Sequence, residues 1–332
     1  MILQGTALVP GTCGELVQGT LSGKNFLITC PVNWYSRVTV KIGRPAERRT
    51  GRAPGAGCRI LFPADRIKTA QAVRKALDRE GRPDLGAVID VASSLPVGKG
   101  MGSSTADLSA ACFAVAAALG RRLSPEAVAE IALSIEPSDA TFFRGIVLFD
   151  HVEGQIYERL GEPIPIGLLA LDFGGAVDTL EFHRRSDLAI LNAANETAVS
   201  RALELVRDGL RRQDPARLGE GATMSALANQ RVLPKPGLEA IIDYAMAQGA
   251  YGVNVAHSGT VVGVLLPLGR EAEERLIRDL GRMFPEIERF YSLRLTGGGP
   301  RYPGEVRAGR DVCCGKAPAR GRDRLGRGQV RY

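Results

Sequence analysis

The segment Pro96-Val97-Gly98-Lys99-Gly100-Met101-Gly102-Ser103-Ser104-Thr105-Ala106 constrains this chain more than any other. A strand-like run, Ala87 to Ala92, precedes it, and an alanine-rich apolar stretch reaching about Leu119 follows. The order is therefore strand, glycine-rich loop, helix. Three glycines let backbone approach an anion closely, and two serines at the helix opening add hydroxyl donors and a candidate magnesium ligand. The helix dipole favours negative charge there by roughly 0.3–2 kcal/mol. The glycine spacing is G-x-G-x-G, and no Gly-Lys-Ser/Thr follows a four-residue gap. The loop therefore fits neither the dinucleotide fingerprint nor a Walker A sequence. Physical reading alone leads to a phosphate-binding, ATP-using enzyme, with Ser103 and Ser104 both open as the metal ligand.

Around this loop the pattern is mixed. Strand-like runs at Thr6 to Val9, Phe26 to Thr29 and Ser36 to Ile42 are separated by glycine-rich turns, and residues 44–57 read as a loop. Ala64 to Glu80 reads as a helix with Ile67, Ala70, Val73 and Leu77 on one face. Ser124-Pro125-Glu126 starts another that runs to about Ile135, with serine as N-cap and proline in the first turn. Strands at Gly145 to Phe149 and Ile166 to Asp172 precede a mostly helical stretch between Ser186 and Gln230. A helix at Leu238 to Gln248, strands at Val253 to Ala256 and Val261 to Pro267, a helix at Glu271 to Phe284 and a strand near Tyr291 to Leu295 complete the body. No period repeats, which excludes solenoids and propellers. The fold class expected is α+β in two lobes: 1–172, 173–300, and a tail at 301–332.

The net charge of +7 is local: nine basic and three acidic residues fall in 301–332, leaving 34 and 33 in the rest. A nearly neutral body is not a nucleic-acid surface, and the Gly/Arg/Pro-rich tail is expected to be a mobile extension. The apolar run Leu108 to Gly120 is shorter than the roughly 20 residues a membrane span needs. The opening residues lack the basic and apolar regions of a signal peptide, so a cytoplasmic location is expected. The six cysteines contain no C-x-x-C pair, and the chain has only three histidines. No metal site of familiar cysteine and histidine spacing is therefore expected.

The loop resembles the ATP-binding motif of the GHMP kinases, P-x-x-x-G-(L/M)-G-S-S-A, with Thr105 standing where alanine is usual. Pro10-Gly11-Thr12-Cys13-Gly14-Glu15-Leu16 resembles that family's first motif. Ala256-His257-Ser258-Gly259-Thr260-Val261 stands in the place of the third, with one glycine where several are usual. The first motif, Lys-Gly-Met-Gly-Ser-Ser-Thr-Ala-Asp, and Ser134-Ile135-Glu136-Pro137-Ser138-Asp139-Ala140-Thr141 resemble the L-threonine kinases of cobalamin biosynthesis within that superfamily.

The resemblance implies a β-rich N-terminal domain, an α+β C-terminal domain and an active site between them. ATP and Mg2+ are the implied cofactors and L-threonine the implied acceptor, with no membrane partner and room for a homodimer. Homoserine or an isoprenoid alcohol are alternative acceptors. Glu136 and Asp139 lie three apart, so on a helical turn both carboxylates face one way. The resemblance implies Glu136, with Ser104, at the metal and Asp139 at the acceptor hydroxyl. Thr12, Cys13, Glu15, Gly259 and Thr260 are expected near the substrate, Glu15 at its ammonium and Arg144 at its carboxylate. Lys99 is left between a phosphate contact and solvent, and His257 is expected to be a structural turn residue.

Overall fold

The computed structural model describes residues 2–44, 59–177, 179–303 and 305. It contains a long hairpin, β1 (Leu3–Leu21) and β2 (Lys24–Gly43), then β3 (Ile60–Leu61), α1 (Ile67–Arg79), β4 (Gly86–Ala92), α2 (Ser103–Ala118) and α3 (Pro125–Leu133). β5 (Ile146–Phe149), β6 (Tyr157–Gly161), β7 (Gly167–Asp172), α4 (Thr179–His183), α5 (Leu188–Arg212) and α6 (Pro215–Asn229) follow. α7 (Leu238–Ala247), β8 (Gly252–Val255), β9 (Val262–Leu266), α8 (Arg270–Met283) and β10 (Arg289–Arg294) complete the order.

The first strands differ from expectation. The segment Pro10 to Glu15, expected as a glycine-rich turn, lies inside β1. Its irregularity is absorbed as register shifts between Pro10 and Thr12, Thr12 and Glu15, and Glu15 and Val17. Bulges bend a strand without ending it. The true reversal is at Ser22-Gly23, where both residues take positive φ (49° and 73°), the geometry a tight hairpin needs. At Gly5 a Cβ would stand 2.1 Å from the Ala114 carbonyl oxygen. A bare backbone there lets α2 lie directly on β1.

One sheet runs β10-β7-β9-β8-β1-β2-β4-β3, with β5 pairing β2 and β6. The β1–β8 junction is a single pair, Glu15 opposite Val255. The sheet thus changes from N-terminal to C-terminal strands at one residue of the first motif. β7, which ends beside the expected boundary at Phe173, pairs with β9 and β10. β6 had no clear sequence signal, because its residues are exposed or half-buried and alternate weakly.

Helix starts follow the local chemistry. Ser124 accepts from Ala127 N–H at 3.2 Å, and Asp214 accepts from Ala216 and Arg217 at 3.0 and 3.1 Å ahead of Pro215. α2 is buried almost all round, which is why its apolar run showed no face. Leu8 and Arg301 exchange two backbone hydrogen bonds of 2.8 Å, so Arg301 belongs to the body and not to the expected tail. Residues 306–332, Cys58 and nearly all of the 44–57 loop lie outside the described residues. No described helix is long and apolar enough to cross a membrane.

Candidate active site

A cavity of about 440 Å³ is bounded by the Val97–Thr105 loop, the start of α1, residues 136–139, Glu15 and the three histidines. That size suits a small-molecule site. The loop is held from behind. Its carbonyl oxygens at Gly98, Lys99, Gly100 and Met101 accept backbone N–H bonds from Val177 (2.9 Å), Thr260 and Val261 (2.9 and 3.1 Å), Gly14 (3.2 Å) and Thr12 (3.0 Å). Thr12 also donates its hydroxyl to the Gly100 carbonyl at 3.3 Å. Gly98, Gly100 and Gly102 have φ of 72°, 80° and 61°, and a Cβ on Gly100 would stand 2.2 Å from the Ala256 methyl carbon. Gly102 caps α2 without any side-chain acceptor, so the first N–H groups of that helix remain available beside the cavity.

These anchors correct part of the substrate expectation. Thr12, Gly259 and Thr260 brace the loop and do not line the cavity. Cys13 is fully buried, its thiol pushed up by burial and by Glu15. A thiol with that environment is inert. Arg144 is exposed beside Gly299 and is not at the cavity. Lys99 does not line the cavity, and its half-buried side chain turns to Asp172 instead, the ammonium pairing with that carboxylate at 2.9 Å and tying the loop to the end of β7. Pro96 and Ala106 also lie outside the lining, whereas Val97, Gly98, Gly100, Met101, Gly102, Ser103, Ser104 and Thr105 form it.

The acidic residues converge differently from the helical-face expectation. α3 ends at Leu133, and residues 136–139 are not helical. This stretch is stitched in place residue by residue. Glu136 N–H donates to Ala132, Ser138 N–H to the His151 carbonyl (both 3.0 Å) and Asp139 N–H to Thr105 Oγ1 (3.2 Å). Ala140 N–H donates to Thr29 Oγ1 at 3.4 Å. Thr105, the departure from the family's alanine, thus positions Asp139 against α2. The Glu136 carboxylate accepts from Ser104 Oγ and from the Lys68 ammonium. Asp139 is pushed up to about 6 by burial and by Glu136. Glu15 is pushed well above the usual carboxylate range by burial and then by Asp139, and its Oε2 has no hydrogen-bond partner.

Sequence reading missed several lining residues. Lys68 is the second residue of α1, and nothing local to it signals a partner at Glu136. Arg66 pairs with Asp107 at 3.3 Å, and Ser36 donates to the same carboxylate at 2.5 Å. His151, His183 and His257 all line the cavity, His257 from the bend that follows β8.

A glycine loop braced on its carbonyl side, an uncapped helix start and a group of carboxylates in one cavity define a phosphate-transfer site. Residues 67–144 match the GHMP kinases N terminal domain and residues 206–289 the GHMP kinases C terminal domain. The chain is 39% identical over 272 residues to an L-threonine kinase of Salmonella typhimurium, covering 81% of this chain and 85% of that protein. It is 38% identical over 266 residues to an L-threonine kinase of Citrobacter freundii, covering 80% and 87%. The chain belongs to the GHMP kinase family.

Solved structures share the fold. A homoserine kinase from Cytophaga hutchinsonii aligns with a TM-score of 0.66 at 16% identity, covering 90% of this chain and 96% of its own. An L. major mevalonate kinase in complex with R-mevalonate aligns with a TM-score of 0.61 at 15% identity, covering 90% and 97%.

Proposed function

We propose that the protein transfers the γ-phosphoryl group of ATP to the side-chain hydroxyl of L-threonine, giving ADP and O-phospho-L-threonine. The observation that carries this reading is the cavity itself. A braced phosphate loop lines it together with two acids, Glu15 and Asp139, the latter placed so that a Cβ on Gly102 would stand 2.9 Å from its Oδ2. The likeness to the two L-threonine kinases selects threonine among acceptor alcohols.

In this reading, backbone N–H groups of the loop and of the α2 start hold the phosphates. The threonine oxygen forms the new bond to Pγ as the bond from Pγ to the bridging oxygen of ADP breaks, and the hydroxyl proton passes to Asp139. A carboxylate raised to about 6 is ionised at neutral pH and still a competent proton acceptor. Glu15, buried and unpartnered at Oε2, receives the threonine ammonium.

The donor set fits a magnesium ion: Ser104 Oγ and the Glu136 carboxylate are hard oxygen ligands already in contact, beside the phosphate loop. When bound, that ion neutralises phosphate charge. Lys68 holds the Glu136 carboxylate in position. The product would serve as precursor of the aminopropanol linker of cobalamin.

The test incubates the protein with Mg-ATP and, separately, L-threonine, L-serine, L-homoserine, mevalonate and no acceptor, with ADP measured and the product identified by mass and phosphorus NMR. Threonine-dependent ADP with phosphothreonine is the expected result. ADP that depends on another acceptor, with none from threonine, overturns it.

A further inference from the structure

All three histidines of the chain meet at one side of the cavity, brought there from separate parts of the fold. His151 follows β5, His183 ends α4 and His257 lies just beyond β8. One ring nitrogen from each lies within 4.8 Å of the other two. Ring centroids are 5.1 Å apart for His151 and His257, 5.3 Å for His151 and His183, and 5.6 Å for His183 and His257. Three imidazoles bound to one tetrahedral zinc, with Zn–N of about 2.0–2.1 Å, place their centroids about 5 Å apart. The triangle observed already has that size.

The ring chemistry agrees. Gln18 Nε2 donates to the Val255 carbonyl at 3.2 Å, so its Oε1 faces His257 Nδ1, 2.9 Å away, as an acceptor. His257 therefore carries its proton on Nδ1 and keeps the Nε2 lone pair free. An outer-shell acceptor on one ring nitrogen is what fixes a metal-binding tautomer. His151 is 3% exposed, and its Nδ1 has no hydrogen-bond partner.

Burial pushes all three rings down, His151 to about 3, so they are neutral at physiological pH. Neutral rings do not attract phosphate, but they do ligate metals. The other charged group acting on His257 is Lys235, itself buried and pushed down to about 7.

We propose that His151, His183 and His257 form a three-histidine site for a borderline first-row dication, zinc being the best match, with a fourth coordination position open to the cavity. Imidazole nitrogen suits zinc, cobalt, nickel and copper, whereas magnesium prefers oxygen, so this site is separate from the Ser104 and Glu136 pair. It does not depend on which alcohol is phosphorylated.

The test uses full-length protein carrying Cys313→Ser and Cys314→Ser, which removes the adjacent thiol pair as a competing ligand. The protein is stripped with a chelator and titrated with Zn2+ or Co2+ without nucleotide or acceptor. A single tightly held equivalent, a visible Co2+ spectrum of tetrahedral type and no displacement by excess Mg2+ are expected. His183→Ala, at the least buried of the three, is expected to weaken binding at least tenfold, and Gln18→Met by about 10–100-fold through the His257 tautomer. Circular dichroism checks that each variant is folded. No metal retained by the unaltered histidine set overturns the proposal, and that result needs no variant. Equal retention by folded His183→Ala also overturns it.

Discussion

The two sides of the cavity are built from different materials. The phosphate side is backbone: glycines at positive φ, an uncapped helix start, and carbonyl oxygens engaged by N–H groups from 12, 14, 177, 260 and 261. The acceptor side is side chains: Glu15 from β1, Asp139 from the stretch after α3, and three imidazoles from the segments after β5 and β8 and the end of α4, while Glu136 with Ser104 stands beside the phosphate loop. A backbone cradle recognises any nucleotide phosphate, since it presents only amides, and tolerates little change in shape. A side-chain wall carries the protonation states and the choice of acceptor. The comparison predicts that changes on the first side move nucleotide binding, and changes on the second move turnover and acceptor recognition.

The largest effect is expected at Asp139. Asp139→Asn should lower kcat by about 10²–10⁴-fold with nucleotide affinity nearly unchanged, the loss typical of a removed proton acceptor. Its stability effect has the opposite sign. A carboxyl raised from its ordinary value to about 6 favours the folded state only while protonated, and that advantage is lost as pH rises through 6. The asparagine variant should therefore be more stable than wild type above pH 7, by about 1–2 kcal/mol, which thermal melts at pH 5 and 8 would compare.

Gly100→Ala comes next on the backbone side. Its Cβ meets the Ala256 methyl carbon, so the loop must shift, and ATP Kd should rise by roughly 100-fold, as for an anion site displaced by about an ångström. Glu15→Gln should raise the threonine KM by about 10–100-fold with a smaller change in kcat, since one charged hydrogen bond contributes about 1.5–3 kcal/mol. The smallest effect is Thr105→Ala. It removes the acceptor for Asp139 N–H and should cost a few-fold in kcat with ATP binding intact, measurable as a kcat-against-KM split.

The same division explains what the sequence disclosed. The phosphate loop is contiguous, so its glycines, serines and flanking periodicity stood in one segment, and the α+β class followed from the strand–loop–helix order. The acceptor side is assembled over distance. Lys68 meets Glu136 across 68 positions, and the three histidines are separated by 32 and 74, spacings that match no familiar ligand pattern. The three-residue interval between Glu136 and Asp139 suggested a helical face. The carboxylates instead reach the cavity because Ser138, Asp139 and Ala140 are pinned to His151, Thr105 and Thr29. Thr12 and Thr260 looked like substrate contacts because a motif read in one dimension does not distinguish the front of a loop from its back. Lys99 was left between a phosphate contact and solvent because Asp172, its partner, lies 73 positions away at the end of β7.

The claim that Glu15 and Asp139 receive the amino acid is tested most directly by calorimetric titration of L-threonine near pH 6.5, in two buffers of different ionisation enthalpy. Glu15 is raised by burial and then by Asp139, and Asp139 by burial and then by Glu136, so an arriving ammonium must lower them. Net proton release on binding, diminished in Glu15→Gln, is the predicted result. Binding with no proton exchange, or with proton uptake, would contradict it.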